Sequence, residues 1–97
     1  MRNKENKYIL RMTNRFKKHL KRMEKRNKAS IRKIADTVNL LQKGEKLPER
    51  FHDHELTGNL KGNRECHILP DWLLVYKIEI DVLVLTLART GTHSDIF

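Results

Sequence analysis

Apolar positions recur along the chain with two different periods, and the change of period marks the elements. Tyr8, Leu10 and Met12 alternate with Ile9 and Arg11, which predicts a short first strand carrying those three side chains on one face. Thr13 and Asn14 follow, and either side chain can satisfy the free N–H groups at a helix start. Phe16, Leu20 and Met23 then come at spacings of four and three, one face of a helix ending near Arg26. Its other faces are almost wholly Lys and Arg. Asn27 to Ser30 breaks the pattern, and Ser30 is placed to cap a second helix. Ile31, Ile34, Val38 and Leu41 form that helix's apolar stripe, widened by Ala35 and Leu40. Gly44 suits the position just past its end, where a left-handed backbone is needed, and Pro48 prevents continuation.

Beyond Pro48 the period shortens. Phe51 to Asn63 is polar, contains Gly58 and Gly62, and reads as loop with a short edge strand around Glu55 to Gly58. Arg64 to Leu69 is a strand, Pro70-Asp71 a turn, and Trp72 to Ile80 and Leu83 to Thr90 are two strong strands. The short link between the last two makes them antiparallel neighbours. The predicted fold is therefore α+β: a short N-terminal strand, a helical hairpin, then a three- to four-stranded antiparallel sheet with the helices on one face.

A chain of 97 residues is expected to form one domain, 1–97, with Met1 to Lys7 as a flexible basic arm. No apolar run approaches the roughly 18 residues of a membrane span, and no apolar segment follows the basic start as in a secretory signal. The one cysteine, Cys66, has no partner for an internal disulfide, which fits a reducing cytoplasm. Charge changes the picture more. The net charge is +9, and it is unevenly spread. Residues 1–50 hold 17 Lys and Arg against 5 Asp and Glu, a balance of +12, whereas residues 51–97 hold 4 against 7, a balance of −3. Such clustering points to a polyanion such as nucleic acid, with a solvated helical surface as the plainer alternative.

Four of the five histidines lie in the acidic half: His52, His54, His67 and His93. If the C-terminal strands pair as a meander, His67, Asp71 and His93 meet near one edge and the loop with His52 and His54 folds over it. Imidazoles titrate near neutral pH, so one can take the proton of a ribose 2′-OH while another supplies one to the leaving 5′-oxygen. The nucleophile is then the substrate's own hydroxyl. Neither a metal nor any other cofactor is required. Zinc is the competing use of Cys66, His67, His54 and His93, but adjacent Cys66 and His67 point to opposite faces of a strand and the paired spacings of structural zinc sites are missing. The same geometry argues against Cys66 as a nucleophile activated by His67, and leaves it a small core residue. Trp72 is either a stacking face for an RNA base or the first core residue of a buried strand. Phe97, last in the sequence, is read as an exposed stacking or pocket-lining ring.

Four linked stretches carry a resemblance. They are Asp53-His54 with Leu56 and Gly58; Lys61-Gly62 with Arg64 and His67; Pro70-Asp71-Trp72 with Leu74 and Tyr76; and Arg89 with Gly91-Thr92-His93 and Phe97. In this order and spacing the chain resembles the YafQ branch of the RelE/ParE toxin superfamily. The resemblance covers about the last half of the sequence, and the N-terminal half shares architecture and basic character. It implies the toxin of a type II toxin–antitoxin system, a ribosome-dependent endoribonuclease that cleaves mRNA to a 2′,3′-cyclic phosphate and inhibits translation. It also implies a cognate antitoxin of the DinJ or RelB kind. By the same resemblance His54, His67, Asp71 and His93 are the catalytic set, and Trp72 and Phe97 its associated aromatics. Lys61, Arg64 and Arg89 are candidate RNA contacts, with a strand-anchoring salt bridge as the other use of the two arginines. His52 can compete with His54. The basic helices are expected to touch 16S ribosomal RNA. The alternative function is a ParE-like inhibitor of DNA gyrase, which would have no use for acid–base groups.

Overall fold

The computed structural model describes residues 6–97. A single five-stranded sheet runs through it in the order β1-β5-β4-β3-β2, where β1 is Ile9–Met12, β2 His54–Glu55, β3 Arg64–Leu69, β4 Trp72–Glu79 and β5 Val84–Gly91. β2 to β5 pair antiparallel, while β1 joins β5 in parallel, Ile9 facing Val84 and Met12 facing Leu87. The sheet is thus mixed and has five strands, against the purely antiparallel sheet of three or four expected. A parallel neighbour needs a long crossover, and the whole chain between Thr13 and Leu83 supplies it.

Helices α1 (Asn14–Arg26) and α2 (Lys28–Gln42) cover one face, α1 over β5 and α2 over β3. Thr13 caps α1: its Oγ1 accepts from the Phe16 N–H and donates to the Ala88 carbonyl at 2.7 Å, which ties the helix start to β5. Ser30 is not the cap of α2. That place falls to Asn27, and Ser30 is buried inside the helix with Ile34, Thr37 and Leu41. After α2, Gly44 adopts φ +82° while its N–H reaches Leu41 and that of Glu45 reaches Leu40, a Schellman ending. A Cβ on Gly44 would lie 2.9 Å from the Lys7 side chain. Of the arm read at residues 1–7, positions 1–5 lie outside the described residues; Lys7 donates its N–H to Gln42.

The main core fills the space under the helices, with Phe16, Met23, Ile34 and Leu41 against Cys66, Trp72, Leu74, Tyr76, Leu85 and Leu87. Each such large side chain contributes roughly 1.5–3 kcal/mol on leaving water. Met12 does not join Tyr8 in it, being 44% exposed at the sheet edge. A second, smaller cluster lies on the opposite face, where Leu73, Val75 and Ile96 pack with Leu56, Leu60 and Ala88. Its cover is the 56–60 loop and a short helix, α3 (His93–Ile96), which periodicity over four residues cannot announce. The edge strand expected at Glu55 to Gly58 sits earlier, at His54–Glu55, because Gly58 (φ +67°) opens a 3-10 turn.

Candidate active site

The sheet face opposite the two long helices carries the chemistry. On β3 the side chains alternate, so Cys66 and Ile68 enter the core while Glu65 and His67 face the other way. A groove of about 430 Å³ is lined there by Glu65, His67, Asp71, Leu73, Thr92 and His93, among others. Three of the four residues of the expected catalytic set, His67, Asp71 and His93, therefore share one groove. The β3–β4 turn supplies Asp71 and α3 supplies His93.

His54 stands beside this groove, next to Glu65. Its strand pairs with β3 so that His54 lies opposite Glu65, and its Nε2 is 3.4 Å from Glu65 Oε1. Its Nδ1 lies 2.7 Å from the His52 carbonyl oxygen. A carbonyl only accepts, so this contact needs a proton on Nδ1, and whenever the ring is neutral its lone pair is on Nε2. The segment bearing it is fixed from below. Asp53 accepts from the Tyr76 hydroxyl at 2.5 Å and from Arg64 Nε at 3.2 Å. Burial and the Asp53 contact push the Tyr76 hydroxyl far up, so it stays a donor. His52 takes a left-handed backbone, φ +48°, and this aims its carbonyl at His54.

Glu65 was not among the residues singled out in the sequence, yet its carboxylate is buried in the groove wall and Oε2 has no hydrogen-bond partner among the described residues. The signal was available: two positions before His67 on one strand means the same face.

α3 is held by several small devices. Thr92 and Asp95 form a capping box, and Asp95 also lies 3.7 Å from Arg22 and 3.6 Å from Arg26 of α1. The Thr92 N–H, the Thr92 hydroxyl and then the two arginines hold the Asp95 carboxyl below the usual carboxylate range, against an opposing effect of burial. Ile96 is buried, and its carbonyl accepts from Arg89 Nη1 at 2.8 Å. Phe97, 59% exposed, lies against the His93 ring with centroids 4.8 Å apart.

Other expected site residues fall elsewhere. Trp72 is 1% exposed, and its Nε1–H donates to Thr90 Oγ1 at 2.7 Å; it is a core residue on the helix-covered side and offers no face to a base. Arg64 pairs across the sheet with Tyr76 and ion-pairs with Asp53 and Glu55, so it anchors the His54 segment and does not line the groove. Lys61 is exposed on the 58–63 loop, lining a separate depression with Arg64. Arg89 owes its position to a register shift: Val75 pairs with Arg89 but Tyr76 with Leu87, and the extra residue, Ala88, leaves both it and Arg89 toward α3. Cys66 is fully buried, and burial pushes its thiol up to about 12, which suits a core residue and not a nucleophile.

The chain matches the family described as a bacterial toxin of type II toxin–antitoxin systems, YafQ, over residues 8–97. The mRNA interferase toxin YafQ of Escherichia coli K12 is 37% identical over 83 residues, spanning 84% of this chain and 87% of the relative. Among solved structures, the E. coli DinJ–YafQ complex matches with a TM-score of 0.82 and 34% identity, covering 93% of this chain and 98% of that one. A metal-bound toxin from Helicobacter pylori matches with a TM-score of 0.83 and 35% identity, covering 93% and 99%. Among the described residues no three His, Cys, Asp or Glu side chains are grouped so as to hold an ion. No helix among them is long and apolar enough to cross a membrane.

Proposed function

The chain belongs to the YafQ family of bacterial toxins of type II toxin–antitoxin systems, and from that premise we propose that it is an mRNA interferase, an endoribonuclease working on ribosome-bound mRNA by proton transfer between imidazoles. The observation that carries this reading is the single groove shared by His67, Asp71 and His93, with His54 held against the Glu65 of its wall. His54 acts as base. Its free Nε2 lone pair takes the ribose 2′-OH proton, the 2′-oxygen attacks phosphorus, and the imidazolium formed meets the Glu65 carboxylate. His93, exposed at the start of α3, gives a proton to the 5′-oxygen as the P–O5′ bond breaks. The products are a 2′,3′-cyclic phosphate and a 5′-hydroxyl. His67 and Asp71 are further acid–base or orienting groups, His67 toward the phosphate and Asp71 toward the exchanging protons. Arg89, with one nitrogen on Ile96, adds positive charge on the same sheet face, and Phe97 holds the His93 ring. No ion enters the scheme.

Partners follow from the same premise. A DinJ or RelB-like antitoxin, acidic and folding on contact, complements the cationic helices, and when it is absent those helices engage 16S ribosomal RNA. The test is 5′-end sequencing of cellular transcripts after brief induction of the protein and of His93→Ala. Codon-phased cuts within translated frames are expected from the first and not from the second. Purified protein should also cut mRNA on ribosomes with no transition metal added. Full activity in His54→Ala, His67→Ala and His93→Ala alike would remove the reading.

A further inference from the structure

A second groove, about 530 Å³, continues from the first. Lys33 of α2, Arg50, Phe51 and His52 form one wall, and β3 and Pro70 the other. His67 and Pro70 line both grooves, so the two meet at these residues and form one path. Their chemistry differs. The first has two carboxylates, Glu65 and Asp71, and no Lys or Arg; the second has two cations, two imidazoles and no carboxylate. The Lys and Arg side chains of the path therefore all stand in the second groove. Flat rings accompany the cations. Arg50 sits over the Phe51 ring at 4.8 Å, and the exposed His52 ring meets His67 edge-on with centroids 5.5 Å apart. His52 is one of two residues other than glycine, among those described, with positive φ, so its backbone is bent to present that ring as well as its carbonyl. Phe51, Ile68 and Leu69 give an apolar floor.

We propose that this groove is the binding site for the nucleotide adjoining the scissile phosphate in single-stranded RNA: Lys33 and Arg50 take its phosphate, and the His52 ring stacks on its base. The site rests on the endoribonuclease reading and extends it by one nucleotide. It explains why a groove whose reacting part lacks Lys and Arg still holds a polyanion.

The experiment reads binding on RNA that cannot be cut. A fluorescein-labelled 2′-O-methyl RNA octamer is titrated with the protein over a range of salt. Each phosphate contact on a single strand adds about 0.7 to the slope of log K against log salt, so Lys33→Ala/Arg50→Ala should flatten it by about 1.4. Both residues are exposed, so the fold survives their loss. Lys46→Ala/Lys77→Ala removes equal charge from exposed positions outside the helices and outside the groove, and should leave the slope nearly unchanged. His52→Ala should weaken binding roughly fivefold or more, the lower end of base stacking. Equal slopes for the two double variants, or none changed, overturn the site. Cleavage of ribosome-bound mRNA is scored apart: its absence in the unaltered protein overturns the catalytic reading, whereas cleavage with an indifferent Lys33/Arg50 pair overturns only the subsite.

Discussion

Replacing Trp72 by Phe separates two roles that the sequence left open. The indole is 1% exposed and donates to Thr90 Oγ1, whose own hydroxyl donates to the Leu73 carbonyl. Phe removes that donor, at about 1 kcal/mol for a buried neutral hydrogen bond. It also shrinks the side chain inside a packed core, adding ~1 kcal/mol of transfer and cavity cost. The sum, about 2 kcal/mol, lowers the melting temperature by roughly 8–16 °C for a domain of this size. Thermal unfolding followed by far-UV circular dichroism reads it, since Trp72 is the protein's one tryptophan and its fluorescence goes with it. At a temperature where the variant is folded, RNA cleavage and binding should match the unaltered protein. A stacking role predicts the reverse: stability untouched, with a loss of RNA binding smaller than the roughly 1–3 kcal/mol that removing the ring altogether costs, since Phe still stacks. A melting shift under ~2 °C, with RNA binding measurably weakened, would refute the core assignment.

The remaining expectations concern the supports of the groove. Glu65→Gln keeps the shape of the wall but removes the charge 3.4 Å from His54, so kcat should fall about tenfold, with KM little altered; unchanged kcat contradicts it. Asp95→Ala deletes the capping box, worth about 1 kcal/mol, from a helix of four residues that cannot sustain itself, so the Ile96 and Phe97 N–H groups should lose hydrogen-exchange protection before the sheet does. Acid should act likewise: the Asp95 carboxyl is held below its ordinary value of 3.8, so its contribution is present above that pH and lost as pH falls below it. NMR lines of α3 that shift on acidification only together with global unfolding would count against this. The Cys66 thiol, pushed up to about 12 from 9.0 by burial, contributes stability below pH 9 that drains away as pH climbs toward 12. At pH 8 a thiol reagent should label Cys66 only in denaturant, and immediate labelling of the native protein would exclude its burial.

Much of this arrangement was legible. β3 spans Arg64–Leu69 as its alternation indicated, and Gly44 ends α2 as glycine should. Opposite-face placement of Cys66 and His67 followed from the strand period alone. What was hidden involves relations between elements. Alternation along Ile9–Met12 names a strand but not its neighbour, so parallel pairing with β5 was out of reach. β4 is buried without a break from Trp72 to Tyr76, because helices cover one face and α3 with the 56–60 loop cover the other; no alternation survives to say which side Trp72 takes. Arg64 and Arg89 read alike as RNA contacts or strand-anchoring ion pairs, yet one is spent on Asp53 and the other is turned under α3 by a single extra residue in β5. Glu65 escaped notice because a lone charge within a strand looks like a solvent-facing position.

The partnership of β1 with β5 also sets an order of assembly. The Thr13 hydroxyl and the Ala88 carbonyl it reaches are 75 positions apart, so the sheet edge closes only after every intervening element exists. Such distant pairing carries a heavy loop-closure penalty and slows folding. A growing polypeptide therefore exposes the oily sides of α1 and α2 well before any strand arrives to hide them. A chain halted ahead of β5 would own both helices and the His67 strand but no seat for α3, and so no poison.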